Sequence, residues 1–191
     1  MDKNIKNITL IGDSHSQYIY RGLSELVRLE NLDLVSKLIP YSGVSAWNVD
    51  YSVLNRSRFE GSTIVLMFGE CDIRRHLPRF NNAEEAVAKY VFNSINFFKG
   101  LDIAFMKPVP QAIDELTAEF RNNKNQWHSF EKRMHQQEKF YESLNNYNIK
   151  IIDTVKAIGT DYIDFEHSDG GHHLNEDKSI ELAKYIYKAV D

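Results

Sequence analysis

Short apolar runs separated by stretches of helical length constrain this chain more than any other feature. Residues 8–11, 64–68, 103–106 and 149–152 are brief and largely apolar, and three of the four show almost no polar alternation. That pattern suits strands buried on both faces of a parallel sheet. Residues 34–39 mix polar with apolar, as an edge strand does, and bring the expected strands to five. Between them lie helical patterns. Ile19, Leu23, Leu26 and Val27 follow Ser14 at helical spacing; Ala83, Ala86, Val87, Tyr90, Val91, Ser94 and Phe98 precede Gly100, a C-terminal stop. A third stripe, Trp127, Phe130, Met134, Tyr141 and Leu144, crosses a very polar stretch and reads as a long surface helix before the fifth strand. The last helix starts near Asn175, an N-cap with Glu176 and Asp177 in its first turn, and turns Ile180, Ala183, Ile186, Tyr187 and Val190 inward.

Strands alternating with helices imply right-handed crossovers and an open, doubly wound α/β sheet, here as one domain spanning residues 1–191. Such sheets bind ligands beyond the carboxyl ends of their strands, so chemistry is expected just after Ile11, Ile39, Phe68, Met106 and Ile152. Composition removes several classes. A formal net charge of −4 gives no general positive field for nucleic acid or an anionic membrane. The single cysteine, Cys71, excludes an intrachain disulfide framework and a zinc site of several thiolates. The longest apolar run falls far short of the roughly 20 residues that cross a bilayer, and no apolar stretch of signal-peptide length precedes the first strand. A cytoplasmic location is therefore expected, without cofactor or resident metal.

Two segments carry candidate chemistry. After the first strand comes Gly12-Asp13-Ser14-His15-Ser16, leading into a helix. A serine there places its hydroxyl at the strand's carboxyl end and its N–H at a helix N-terminus, where developing negative charge is favoured; the same serine could simply cap the helix. Near the other end lies His167-Ser168-Asp169-Gly170-Gly171-His172-His173-Leu174-Asn175. An aspartate three residues before a histidine can fix its tautomer while the far nitrogen activates a serine hydroxyl. His167, His172 and His173 with Asp169 also permit a metal site, a lesser reading because the other half of the site is a serine. Cys71 as nucleophile has little support, since a lone cysteine beside a buried strand behaves as a small hydrophobe.

Gly12-Asp13-Ser14 after the first strand and Asp169-x-x-His172 before the last helix resemble the first and fifth sequence blocks of the SGNH/GDSL hydrolases. The resemblance spans nearly the whole chain. It implies a three-layer α/β/α sandwich with a flavodoxin-like five-stranded parallel sheet, and ester cleavage by serine, histidine and aspartate. It assigns Ser14 as nucleophile, His172 as base and Asp169 as its orienting partner. His173 is the alternative base, one residue too far from Asp169 for the usual spacing. Gly43-Val44-Ser45-Ala46-Trp47 is similar to the segment whose glycine N–H holds the oxyanion, with Ala46 at that glycine and Gly43 as the neighbour that could serve instead. Gly69-Glu70-Cys71-Asp72 stands where the family has Gly-x-Asn-Asp, so Cys71 replaces the oxyanion-hole asparagine.

A lost oxyanion donor costs about 2.7–4 kcal/mol, and a thiol is too weak a donor to restore it. Arg74, Asn48 or a loop amide is expected to substitute, since Arg74 and Arg75 follow Asp72 in the same loop and at least one of them could turn toward the cleft. For either arginine taken singly, the solvated surface pair is the favoured reading. Gly69-Glu70-x-Asp72 followed by Arg74 further resembles a subgroup associated with surface-polysaccharide gene clusters. Tyr41 and Trp47 could stack on a sugar ring. The expected function is hydrolysis of short acyl esters, foremost O-acetyl groups on a saccharide. The alternatives are O-acyl transfer through the same acyl-enzyme and a catalytically weak carbohydrate-binding domain.

Overall fold

The computed structural model describes residues 5–117 and 128–190. Five parallel strands form the central sheet in the order β2-β1-β3-β4-β6: β1 (Lys6–Gly12), β2 (Leu34–Pro40), β3 (Thr63–Met67), β4 (Ile103–Met106) and β6 (Ile151–Ile152). All five expected strands are present. Residues 34–39 do lie at the sheet edge, and the run at 149–152 contracts to two paired residues. The sheet is buried on both faces, and side chains alternate between them with period two. Along β3, Val65 and Met67 join Ile19 and Leu23 of helix α1 (His15–Glu30), with Leu182 and Ile186 of helix α6 (Glu176–Ala189). Ile64, Leu66 and, just beyond the strand, Phe68 join Val87 and Tyr90 of helix α3 (Ala83–Phe97), with Phe140 and Leu144 of helix α4 (Phe130–Asn145). Three layers result, with α1 and α6 on one side and α3 and α4 on the other.

Two glycines fix how closely the strand ends approach. A Cβ on Gly12 would lie 2.4 Å from Met67 O, so the backbone of β1 meets β3 at a distance only glycine permits. Gly69, with φ +122°, turns the chain out of β3 where a Cβ would strike Phe140 and Pro108. The residues expected to follow in a loop instead form a π-helical turn, Asp72–His76, continued by α2 (Leu77–Phe80). This turn draws Arg74 inward, so Arg74 is not half of a solvated pair.

Helix α4 departs from its expected face. Trp127 lies outside the described residues. Phe130 and Met134 are only half-buried, whereas Arg133, Gln136, Gln137 and Phe140 are buried. The polar residues are inside because they serve backbone groups of a small second sheet, β5 (Gln111–Ala112) paired in parallel with β7 (Tyr162–Ile163). Gln137 Oε1 accepts from Gln111 N–H and its amide donates to Asp161 O, both at 2.8 Å. Arg133 donates to Ala112 O, to His128 O and to Asp114. Between β6 and β7 runs the short helix α5 (Thr154–Ile158), capped by Asp153. On the final helix Leu182 joins Ala183, Ile186 and Val190 in the core, while Ile180 and Tyr187 are half-buried. Among the described residues no helix is long and apolar enough to cross a membrane.

Candidate active site

The site lies at the carboxyl ends of β1 and β3. Ser14 opens α1, yet its hydroxyl makes no capping bond. Its backbone (φ −59°, ψ −29°) is already helical, outside the extended region from which an N-cap side chain reaches the first turn. The preceding residue takes over that duty: Asp13 Oδ1 accepts from His15 N–H at 3.1 Å. Ser14 Oγ lies instead 3.4 Å from His173 Nε2. Asp169 Oδ2 stands 3.8 Å from His173 Nδ1, and Tyr18 stacks on the His173 ring with centroids 4.3 Å apart.

The ring that meets Ser14 is thus His173 and not His172, which the spacing from Asp169 favoured. The loop explains the shift. Asp169 N–H donates to His173 O, Ser168 Oγ donates to Gly171 O, and Ser168 bridges Leu174, so the intervening glycines fold into a compact turn. That turn brings the fourth residue, not the third, over Asp169. His172 packs beside His173 with ring centroids 3.9 Å apart and forms an edge contact with His15 at 5.7 Å. His167 pairs with Asp164, so the metal reading built on His167, His172, His173 and Asp169 does not hold together as a set.

Electrostatics keep these rings neutral. Burial, then the neighbouring His15, lowers His172 to about 3. His173 is lowered by burial with Arg74 assisting, against the opposing pull of Asp169 and Glu70. His15, buried at 3% exposure, is held well below the ordinary histidine value, mainly by burial.

The expected oxyanion donors are placed differently. Ala46 N–H donates to Asp72 Oδ2 at 2.5 Å and Trp47 N–H reaches Asp72 Oδ1, so the amide assigned to the oxyanion is already engaged. Asp72 is buried, which pushes its carboxyl up to about 7 against those two amides. Gly43 is exposed, with φ +77°, and Asn48 is exposed while its N–H serves Ser45. Cys71 is buried, and burial together with Glu70 pushes its thiol up to about 12, so it remains protonated. Arg74 Nη2 approaches Cys71 Sγ at 3.5 Å while Arg74 Nε pairs with Glu70 Oε1 at 3.0 Å. A buried guanidinium therefore stands against the side chain that replaces the usual asparagine.

Sequence reading passed over two buried residues here, Asp13 and Glu70, whereas His15 reads from sequence as a first-turn residue that fills space rather than hydrogen-bonding at the cleft rim, and it is buried. Asp13 is raised well above an ordinary carboxyl by burial and by Glu70, and His15 fills the space behind His172 and His173. Glu70 anchors Arg74. All three lie at the ends of β1 and β3, where the strand-end rule pointed; nothing in the sequence marked Asp13 and Glu70 as buried.

By sequence, no family model and no curated protein matches the chain. Solved structures do. A lipase/acylhydrolase from Enterococcus faecalis superposes with a TM-score of 0.66 over 96% of this chain and 94% of its own, at 15% identity. The fold is that of the SGNH hydrolases. Other structures similar to this chain include the periplasmic domain of a Salmonella Paratyphi A lipopolysaccharide acetyltransferase, with TM-score 0.63, 16% identity, and coverage of 97% and 84% of the two chains. A carbohydrate acetylesterase from Sinorhizobium meliloti aligns with TM-score 0.55, 15% identity, and coverage of 97% and 98%.

Proposed function

We propose that this chain is a serine esterase that removes short acyl groups, foremost acetyl, from a saccharide. The observation that carries the reading is a helix-opening serine whose hydroxyl takes no part in capping the helix and faces an imidazole across 159 positions of sequence. Ser14 Oγ attacks the acyl carbon while His173 Nε2 takes its proton. Asp169 steadies the imidazolium from the Nδ1 side. The Ser14 N–H at the N-terminus of α1 and the nearby Arg74 charge stabilise the oxyanion. His173 then protonates the leaving alcohol, the acyl-enzyme remains on Ser14, and water activated by the same imidazole releases the acid. The 3.4 and 3.8 Å separations are looser than the ~2.6–3.2 Å of a working relay, as triads often are without substrate.

A cavity of ≈ 320 Å³ opens beside Asp72, walled by Trp47, Leu77 and Phe80 and edged by Asn48 and His76. Apolar walls with a few polar groups at the rim suit a sugar ring bearing a small acyl group. The fold shared with a carbohydrate acetylesterase and a lipopolysaccharide acetyltransferase supports an acylated saccharide as substrate. Labelling with a fluorophosphonate tests the reading: the wild type is expected to be modified on Ser14 and Ser14→Ala to remain unlabelled. Equal labelling of both would remove Ser14 as nucleophile.

The pH profile follows from the lowered His173. The base must be neutral, and a folded pKa below the ordinary histidine value of about 6.5 keeps it neutral into mild acid. In p-nitrophenyl acetate hydrolysis, kcat/KM is therefore expected to hold constant down to about pH 6.5 and to fall only below it. Asp169 raises this group, so Asp169→Asn is expected to shift the acid limb lower still while reducing the plateau. A limb centred above pH 6.5 would contradict the assignment.

A further inference from the structure

His15, His172 and His173 converge: each presents one ligand-capable nitrogen, and the three atoms lie within 4.8 Å of one another. Two of these rings come from the loop before α6 and one from the first turn of α1, so the cluster is made by tertiary structure and not by local sequence. His15 is the unusual member. It is 3% exposed, and neither of its ring nitrogens has a hydrogen-bond partner. Buried side-chain polar atoms are almost always satisfied, and a buried imidazole with two unsatisfied nitrogens points to a ligand. The proposed reaction uses only His173.

We propose that these three imidazoles form a site for a borderline divalent transition ion of the Zn²⁺ class, and that a bound ion withholds His173 from Ser14. The donor set decides the class of ion. Three neutral nitrogens and no oxygen donor suit Zn²⁺, Co²⁺, Ni²⁺ or Cu²⁺ and do not suit Mg²⁺ or Ca²⁺. In a tetrahedral zinc site with Zn–N of about 2.0–2.1 Å, ligand nitrogens stand roughly 3.4 Å apart. The rings must therefore draw together by about 1.4 Å at most, a movement within reach of side-chain rotation.

The surroundings favour this. Asp169 faces the Nδ1 side of His173, leaving Nε2 as the coordinating atom and supplying the carboxylate that commonly backs a metal-bound histidine. Glu70 adds a second negative charge nearby, partly offset by its partner Arg74. Ser14 Oγ faces the same Nε2, whose single lone pair serves either the ion or the serine proton. The ion therefore acts as an inhibitor. This second half rests on the reading of His173 as the base, while the binding half does not.

Calorimetric titration of Zn²⁺ into the metal-free chain tests binding, with Co²⁺ absorption in the visible as an independent report of nitrogen coordination. Wild type and Ser14→Ala are expected to bind one equivalent, whereas His15→Phe and His172→Phe each lose about ten-fold or more in affinity. His172 is only half-buried, so its variant keeps the test open where His15→Phe does not fold. Turnover of p-nitrophenyl acetate, scaled to each variant's own metal-free rate, is expected to fall in proportion to Zn²⁺ occupancy and to return with EDTA. Absence of saturable binding, or wild-type affinity in both histidine variants, would overturn the proposal. So would bound Zn²⁺ that leaves turnover intact or raises it. Calorimetry and the Co²⁺ spectrum are read whether or not the chain hydrolyses esters, which keeps failure of the site distinct from failure of the esterase reading.

Discussion

His173→Ala is expected to lower kcat for p-nitrophenyl acetate by roughly 10³-fold or more, whereas His172→Ala is expected to cost less than about ten-fold. The two rings are adjacent in sequence and touch in space, with centroids 3.9 Å apart. What separates them is direction. His173 Nε2 faces the hydroxyl and its Nδ1 faces a carboxylate, so it can receive a proton on one side and be stabilised on the other. His172 is held near 3 by burial and by His15, too low to be a useful base at neutral pH. Steady-state kinetics of the two variants in zinc-free buffer, beside Ser14→Ala, provide the measurement. Similar losses for Ser14→Ala and His173→Ala are expected because members of one relay act as a unit. A larger loss for His172→Ala than for His173→Ala would restore the spacing-based assignment and refute the geometric one.

The largest effect on stability is expected at Arg133. Its side chain is fully buried, donating to Ala112 O, to His128 O and, at 2.9 Å, to Asp114 Oδ1. Arg133→Ala removes the donors to both carbonyls and leaves a cavity of most of a side chain. Together these are expected to cost about 3–4 kcal/mol, seen as a lower urea midpoint with unchanged slope. Asp114 keeps 28% of its side-chain surface in water, so Asp114→Ala is expected to cost less, about 1 kcal/mol. Equal midpoints for Arg133→Ala and wild type would show that water or a neighbouring donor replaces the guanidinium.

The sheet was legible because burial on both faces leaves runs such as 64–68 with no other plausible fate, and because the breaks between them carry helical spacing. The position of the candidate serine was legible for a related reason: the end of β1 has to turn into α1, and Gly12 and Ser14 fit that turn. Direction within a loop was less legible. Counting from Asp169 places His172 at the usual interval, but the turn closed by Ser168 and Gly171 adds a residue to the path, which no spacing rule registers. Arg133 and Gln137 looked like solvent-facing positions of a polar helix. Only the two-residue strands β5 and β7, too short to announce themselves, reveal backbone groups that need those side chains. Likewise, the capture of the Ala46 amide by Asp72 depends on two loops meeting, and neither loop alone records it.

Ser14 is seated beside Gly12, where no side chain can be added, while the Asp169 carboxylate stands exposed in a surface loop closed by the bridge between Ser168 and Leu174. Half of the proposed relay is welded to the interior and half hangs outside it. On the proposed esterase reading, a lineage carrying this scaffold could therefore retune or silence turnover by a single codon change near position 169 at little risk to folding. Inactive descendants are then expected to look thermally sound, and their loss to be invisible to any assay that reads only the integrity of the fold.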